Sequence, residues 1–369
     1  MSFRNHRYQK QSKDRRFRRN LHMKIIVDVM GGDNAPEETV KGVIQAAGEQ
    51  NAEFVLVGNR NDIERIAKEN EFDLKNTEIV HTEDVVYMED DPISVVRTKP
   101  NSSMAVGLKM LAEGKGDAFV STGNTGALFT GATLIVRKAK GVQRAGIGTV
   151  LPCKNPVLLL DTGANVTVTE ENLEQFAIMG SAYIHKMYGI ERPRVGLLNN
   201  GAEECKGTEL QRAAYKRLSE NKDINFVGNI EGSVLPFDVC DVLVTDGFTG
   251  NILLKSIEGV GKLMMGMLKE AFTASAATKL SYLLVKPQLR SMKKALDPAE
   301  HGGAPILGIA KPVIKAHGSS NAKAFKNAIR QAIEFAGSGA VEELERAAQA
   351  FAERKKAERE AAKQAASEA

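Results

Sequence analysis

Short aliphatic runs alternate with amphipathic segments from Lys24 onwards. The first run is KIIVDVM, and a helical segment begins near Pro36. EFVLVG then precedes the amphipathic segment NDIERIAKE, and TEIVHT precedes SSMAVGLKMLAEG. Strands that alternate with helices are typical of βαβ units. The pattern therefore predicts an α/β fold of the Rossmann-like three-layer kind, with a mostly parallel or mixed sheet.

The alternation continues to the C-terminal third of the chain. Gly and Asn punctuate the segments, as expected of the loops in an α/β fold. Four longer helices are predicted at residues 170–188, 208–221, 251–272 and 321–337. Six further strands are predicted at DAFVST, NPVLLLDTG, RVGLLNN, INFVGN, CDVLVTDG and APILGIA.

One helical stretch interrupts this rhythm, near residues 272–297. Pro287 lies within it, lacks an amide donor and disfavours helical dihedral angles in the preceding residue. We therefore expect two helical arms that meet at a tip near Pro287. The tip packs on the core or a second subunit, or it contacts a membrane or a partner. Its apolar and cationic residues are Leu280, Leu283, Leu284, Lys286, Arg290, Lys293 and Lys294.

The two ends of the chain differ from the body in charge and pattern. Residues 1–22 hold eight Arg or Lys and one acid, so the formal charge of +4 is +7 there and −3 elsewhere. A broadly basic nucleic-acid-binding body is thereby excluded. We expect a disordered basic leader or an extension, without a secretory signal. A folded domain at 23–337 and a charged, solvated C-terminal helix and tail at 338–369 should follow.

The cysteine content and the hydropathy indicate the compartment. Cys153, Cys205 and Cys240 are far apart and form no CxxC pair. This spacing argues against a disulfide framework or a zinc site. No run of eighteen apolar residues is present, so no transmembrane helix is predicted. We expect a protein of a reducing, cytoplasmic compartment.

Four loops share a small, polar composition, and each follows an aliphatic run. Loops at the carboxyl ends of strands in an open α/β sheet converge on one crevice. Lys206, in a loop rich in Gly and Asn, can hold a phosphate or an oxyanion there. Any one such loop is equally compatible with an ordinary turn. The four are STGNTGAL (121–128), DTGANV (161–166), LLNNGAEECKGTEL (197–210) and DGFTGN (246–251).

The usual nucleotide and nucleophile motifs are missing from the sequence. DVMGGDNAP is not GxGxxG, and EFVLVGN ends in Gly58 and Asn59 rather than a ribose-binding acid. The sequence contains neither GxxxxGK[ST] nor GxSxG. We therefore predict an enzyme without a nicotinamide or other nucleotide cofactor.

Four further polar residues admit two interpretations. His317, in HGSSNAKAF, either orients a phosphate or belongs to a helix cap. Asp33, Asp161 and Asp246 are either metal ligands or acceptors of hydrogen bonds that order their loops. Their glycine-rich contexts favour the second interpretation, so no metal site is predicted.

Seven motifs together resemble the PlsX family, the acyl-acyl carrier protein:phosphate acyltransferases. They are DVMGGDNAP, STGNTGA, DTGAN, LLNNGAEECKG, DGFTGN, GGAPILG and HGSSN, and the resemblance spans Met23 to about Gly337. It implies transfer of a long fatty acyl chain from acyl carrier protein to inorganic phosphate, giving acyl phosphate for phospholipid synthesis. No metal or cofactor is implied.

The resemblance also implies residue roles and partners. Lys206 and Asn251 correspond to the residues to which the family's catalysis is ascribed. The fold would be like that of isocitrate dehydrogenases and phosphotransacetylases, with a homodimer formed partly by protruding helices. Peripheral membrane contact and a downstream glycerol-phosphate acyltransferase are the further expected partners. Phosphate contacts are expected from Ser121, Asn124, Thr125, Asn165 and His317.

Three other functions remain open at this point. A short-chain phosphotransacetylase using acyl-coenzyme A would need no apolar tip. A non-catalytic scaffold that binds acyl carrier protein or membrane would not need four polar loops. A decarboxylating dehydrogenase would share the fold, but the acid and cofactor loops expected of it are missing.

Overall fold

The computed structural model describes residues 23–153, 155–296, 300 and 302–368. The predicted leader, 1–22, lies outside the described residues. The strands are β1 (Met23–Asp28), β2 (Ala52–Gly58), β3 (Thr77–His81), β4 (Ala118–Ser121), β5 (Gly146–Leu151), β6 (Val157–Leu160), β7 (Arg194–Leu198), β8 (Asn225–Ile230), β9 (Val242–Val244), β10 (Ala304–Leu307) and β11 (Val313–Lys315). The helices are α1 (Glu37–Glu49), α2 (Arg60–Glu69), α3 (Ser103–Ala112), α4 (Thr125–Gly131), α5 (Glu170–Tyr188), α6 (Glu209–Glu220), α7 (Gly247–Thr273), α8 (Ala276–Leu296), α9 (Ala322–Ala336) and α10 (Ala340–Glu368).

The described strands form one eleven-stranded sheet in the order β3-β2-β1-β4-β11-β10-β5-β6-β9-β7-β8. The first five strands in this order are mutually parallel, and so are the last four. Between them, β10 and β5 are antiparallel to both of their neighbours. The two parallel halves therefore run in opposite directions.

Alternating side chains of the strands enter cores on the two faces of the sheet. Ile25 and Val27 lie in the core beneath α1 and α9, whereas Ile26 lies in the core beneath α3 and α4. In β6, Leu160 joins the first core and Leu159 packs near the first turns of α7. Alternation of this kind is the period of a strand that is covered on both faces. The predicted three-layer α/β fold is confirmed.

Helices α7 and α8 form a projecting hairpin that begins earlier than the sequence predicts. The arms meet at Ala274 and Ser275, and α8 continues through Pro287, so the predicted tip at Pro287 is wrong. The boundary is set by a cap, in which Thr278 N donates to Ser275 Oγ (3.1 Å) and Ser275 N donates to Thr278 Oγ1 (3.0 Å). A proline costs one helical hydrogen bond, which an exposed helix tolerates when a stronger stop lies elsewhere.

Most side chains of this hairpin face solvent. Phe272 and Tyr282 contact edge to face across the two arms, with ring centroids 5.8 Å apart. None of the described helices has the length and apolar character needed to cross a bilayer. Of the predicted tip residues, Leu280, Leu283, Leu284, Lys286 and Arg290 are exposed on α8, while the side chains of Lys293 and Lys294 lie outside the described ones.

The first half of α10 is packed and not solvated, which corrects the sequence expectation. Leu344 and Phe351 are buried against the core that α5 shares. The buried carboxylate of Glu174 on α5 accepts from Arg354 Nη2 and Arg217 Nε, both at 3.0 Å. Helix α10 packs although its apolar stripe is short, because Arg217 of α6 and Arg354 of α10 both bind the buried carboxylate of Glu174.

Candidate active site

Three loops pack backbone to backbone at the carboxyl ends of β1, β4 and β11. Asp33 N donates to Gly318 O (2.9 Å), and Thr122 Oγ1 donates to Gly31 O. A Cβ on Gly31 would stand 2.7 Å from Gly123 N, so only glycine permits this approach. The motifs DVMGGDNAP, STGNTGAL and HGSSN therefore form one unit, here called the first loop group.

Two oppositely charged residues are buried in the first loop group. Asp28 accepts from Ser121 Oγ (2.7 Å) and Met30 N (3.2 Å), and burial raises the pKa of its carboxyl group. Lys315 Nζ donates to Thr122 O (3.1 Å) and Ala316 O. Burial lowers the pKa of Lys315 to about 8. The site therefore holds an ammonium group that titrates close to physiological pH.

Of the predicted site residues in the first loop group, Thr125 and His317 are exposed to solvent. Thr125 is the first residue of α4. His317 Nδ1 accepts from Ser319 N (3.2 Å), which leaves the proton of the neutral ring on Nε2. Partial burial, followed by the charges of Lys255 and Lys315, lowers the pKa of His317. The ring is accordingly a neutral donor at pH 7.

A second loop group lies at the carboxyl ends of β6, β9 and β7. These three strands are in register, since Val244 pairs with Leu160 on one side and with Leu197 on the other. Asp161 follows β6, is fully buried and accepts five hydrogen bonds of 2.7–3.2 Å. Its carboxylate thus orders the DTGANV loop, as the second interpretation of this residue holds.

Asn251 is positioned by close packing at the start of α7. Asp246 caps the helix by accepting from Thr249 N (2.8 Å). A Cβ on Gly250 would stand 1.9 Å from Asp161 O, and one on Gly163 would stand 2.8 Å from Asn251 Nδ2. Within the described structure the exposed Asn251 amide has no hydrogen-bond partner. It is available to a ligand.

The position of Lys206 is set by its backbone and by the aliphatic part of its side chain, and not by an ion pair of its ammonium group. Asn199 Nδ2 donates to Lys206 O (3.3 Å), and Gly207 completes the turn with φ 86°. The aliphatic part of Lys206 lies over Gly201, where a Cβ would stand 2.7 Å from Lys206 Cγ. Nowhere among the described residues does the ammonium meet an ion-pair or hydrogen-bond partner.

The four polar loops do not share one edge of the sheet, contrary to the sequence expectation. Because β4 and β6 run in opposite directions, STGNTGAL follows strands that point one way, and the other three loops follow strands that point the opposite way. Helix α7 links the two groups. It begins beside Asp161, and the charges of its Lys255 and Lys262 reach His317.

The predicted site residues fall into two kinds. Lys206, Asn251, Thr125 and His317 are exposed. Ser121, Asn124 and Asn165 are buried, and their polar groups bind protein. Ser121 donates to Asp28; Asn124 Nδ2 donates to Tyr87 O, Met88 O and Asp90 O; Asn165 Nδ2 donates to Ala145 O and Asp161 Oδ2. These three shape the loops.

Sequence reasoning missed the buried pair Asp28 and Lys315. A signal was present, because each residue ends an apolar strand directly before a glycine-containing polar loop. A charged residue that closes a buried strand is seldom fully buried unless it is hydrogen-bonded.

Comparison with known proteins supports a single family. Residues 23–343 match the family described as "Fatty acid synthesis protein". The phosphate acyltransferase of Thermoanaerobacter pseudethanolicus is 46% identical over 315 residues, which cover 85% of this chain and 93% of that protein. The phosphate acyltransferase of Clostridioides difficile is 43% identical over 324 residues, which cover 87% and 95%.

A solved structure agrees in fold. The phosphotransacetylase from Streptococcus pyogenes superposes with a TM-score of 0.60 at 16% identity and covers 90% of this chain and 99% of its own. This likeness supports the mixed α/β fold alone, whereas the match to the family spans most of the chain. The chain therefore belongs to the fatty acid synthesis protein family that includes these phosphate acyltransferases, and it is an acyltransferase enzyme.

Proposed function

We propose that this enzyme transfers a long-chain fatty acyl group from acyl carrier protein to inorganic phosphate. An oxygen of hydrogen phosphate attacks the thioester carbonyl, so an O–C bond to the acyl carbon forms and the C–S bond breaks. The phosphate proton passes to the leaving thiolate, so the products are acyl phosphate and the free thiol of the carrier. No cofactor is required, because phosphate is the nucleophile and a thioester is already activated.

One observation carries the proposal. Lys206, in the loop after β7, and Asn251, in the first turn of α7 after β9, present an ammonium and an amide that have no partner among the described residues, and both follow the carboxyl ends of adjacent parallel strands. We assign Lys206 to holding the phosphate and Asn251 to donating to the tetrahedral oxyanion. Donors fixed in advance stabilise developing charge without reorganisation, which is the largest catalytic effect available here. Thr125 and His317 of the first loop group remain proposed phosphate contacts, because α7 begins with the turn that holds Asn251 and brings Lys255 and Lys262 close enough for their charges to act on His317.

The test compares two acyl donors under identical conditions. With palmitoyl-acyl carrier protein and phosphate, we expect free thiol and hydroxylamine-trapped acyl phosphate in equal amounts. The alternative, a short-chain phosphotransacetylase, predicts faster turnover of acetyl-coenzyme A. A clear preference for acetyl-coenzyme A would replace the proposed function by that alternative.

We expect kcat/KM for phosphate to decrease at alkaline pH with an apparent pKa of about 8, which is that of Lys315. Its ammonium is charged below this pH, and the charge lies beside the loops of Thr125 and His317. As pH rises through the pKa, the charge is lost and kcat/KM for phosphate decreases. The pH profile of Lys315→Met should lack this limb, and persistence of the limb would remove Lys315 from phosphate binding.

We further propose that the α7–α8 hairpin serves a homodimer and a membrane surface. On α7, Val260, Leu263, Met264 and Met267 are exposed and follow the i, i+3, i+4, i+7 spacing of one apolar face. A second copy of the chain would cover this face. On α8, the exposed leucines and cations suit anionic lipid. The enzyme would then be cytoplasmic and peripherally bound beside a glycerol-phosphate acyltransferase.

Two double variants separate these roles. Leu283→Glu with Leu284→Glu should abolish co-sedimentation with anionic vesicles, since each buried Leu contributes about 1.5–3 kcal/mol, and should retain acyl transfer. Leu263→Glu with Met267→Glu should dissociate the dimer and is the matched control. Loss of the dimer in the first variant would show that its leucines pack between subunits.

A further inference from the structure

The segment 137–144 carries four exposed cations that the proposed mechanism does not use. They are Arg137, Lys138, Lys140 and Arg144, and within the described residues none of them pairs with a carboxylate. Lys138 Nζ donates only to Gln143 O (2.6 Å), and Arg144 Nη1 donates to Asn165 Oδ1 (3.4 Å) and Thr167 O (3.3 Å). This concentration of positive charge lies in a body whose net charge is −3.

The fold holds this segment in a fixed shape. Ala139 N donates to Gly308 O and Ala310 N donates to Arg137 O, both at 2.9 Å. Gln175 of α5 is bonded to both sides of the turn, since Gln143 N donates to its Oε1 (2.8 Å) and its Nε2 donates to Gly141 O (2.9 Å). Cations on such a support lose little freedom when a partner binds.

One side of the segment 137–144 packs against α10. A Cβ on Gly141 would stand 2.6 Å from Ala348 O, so the backbones are in direct contact there. A groove of about 350 Å³ follows, lined by Gln143, Ala352, Lys355, Lys356, Arg359, Glu360 and Lys363. Lys355, Lys356 and Arg359 have carboxylate partners on the protein. The segment 137–144 therefore supplies most of the uncompensated charge.

The other side of the segment reaches the second loop group. Arg144 contacts Asn165 and Thr167, and Asn165 is bonded to Asp161, against which Gly250 packs. Exposed apolar residues flank the cations at Leu134 and Val166. An apolar contact beside a charged rim is typical of transient protein interfaces.

We infer that the segment 137–144 and the adjoining α10 groove dock the acidic carrier protein that delivers the acyl group. The inference rests on the proposed function, because the carrier is the acidic macromolecule which that reaction requires. Rim charges act on association rate and salt dependence more than on chemistry. The surface should therefore govern KM for the carrier and leave kcat unchanged.

The test uses Arg137→Glu with Lys140→Glu, since neither residue contacts the loop groups. We expect the Kd for carrier protein, by fluorescence anisotropy, and the KM for palmitoyl-carrier to rise at least about tenfold, while kcat and the KM for phosphate stay within about twofold. Raising the salt concentration should weaken carrier binding in the parent far more than in the variant.

Two controls isolate the effect. Arg137→Lys with Lys140→Arg keeps the charge and should bind the carrier like the parent. Lys216→Glu with Lys222→Glu makes the same change in net charge on α6 and the following turn and should leave the Kd unchanged. If that control weakens binding equally, only net charge matters and the docking surface is wrong.

The outcomes also separate this inference from the proposed function. If the parent turns over palmitoyl-carrier and the Arg137 and Lys140 variant has an unchanged Kd, the docking surface is wrong and the function stands. If the parent does not turn it over but the variant loses carrier binding, the reaction is wrong and the surface stands. Loss of anionic-vesicle binding with an unchanged carrier Kd would assign the surface to a membrane.

Discussion

Lys206→Ala is expected to lower kcat/KM for acyl transfer to phosphate by about a hundred- to a thousandfold, without unfolding the protein. Its ammonium has no partner in the described structure, so its removal leaves no buried group unsatisfied. Loss of one preorganised donor typically raises the barrier by about 2.7–4 kcal/mol. Asn251→Ala should have an effect of the same size. Steady-state kinetics with palmitoyl-carrier protein and phosphate measure both.

Lys216→Ala is the matched control, because this exposed lysine lies on α6, which follows the Lys206 loop. Its turnover should equal that of the parent. Near-normal turnover in Lys206→Ala or Asn251→Ala would remove that residue from the mechanism. A lowered melting temperature would show instead that the residue supports its loop.

Gly250→Ala is expected to impair both stability and activity. The new Cβ would stand 1.9 Å from Asp161 O. Asp161 O is a backbone atom and the Cβ is attached to the backbone of residue 250, so no side-chain rotation can relieve the clash. Overpacking of this kind costs about 1–3 kcal/mol or more. It also displaces Asn251, and a misplacement of about 1 Å costs about a hundredfold in rate. Thermal unfolding and steady-state turnover provide the two readouts.

Gly259→Ala is the control in the same helix. Apart from its chain neighbours and the nearby backbone of α7, no atom of the described residues lies within 4 Å of its Cβ position, so the substitution should stabilise α7 by about 0.4–1 kcal/mol through a less flexible unfolded chain. Activity should be unchanged. If Gly250→Ala behaves like Gly259→Ala, the contact with Asp161 does not position Asn251.

Local patterns predicted the elements well and their boundaries less well. The aliphatic runs became strands because both faces of the sheet are covered, as Ile25 and Ile26 illustrate on opposite sides of β1. The tip was wrongly predicted at Pro287, because a proline in an exposed helix disrupts it less than the cap between Ser275 and Thr278 defines a new helix start. The same limit applies to α10, whose packing depends on Glu174 in a distant helix.

The loops that carry the proposed site residues could be located from the sequence, whereas their arrangement could not. Lys206 and Asn251 follow the carboxyl ends of the adjacent parallel strands β7 and β9, as sequence reasoning expects of strands that end together. Strand direction is not encoded in the local pattern, so the reversal at β10 and β5 could not be foreseen. The sequence shows Lys315 at the end of an apolar strand, but its burial depends on a contact with Thr122, which is distant in the sequence.

Single-turnover mixing of excess enzyme with palmitoyl-carrier protein, with and without phosphate, tests most directly the claim that phosphate itself attacks the thioester. Thiol release is expected only when phosphate is present, and acyl phosphate should appear with the same rate constant and amplitude. A burst of thiol in the absence of phosphate would contradict direct transfer and require a different acceptor on the enzyme or in water.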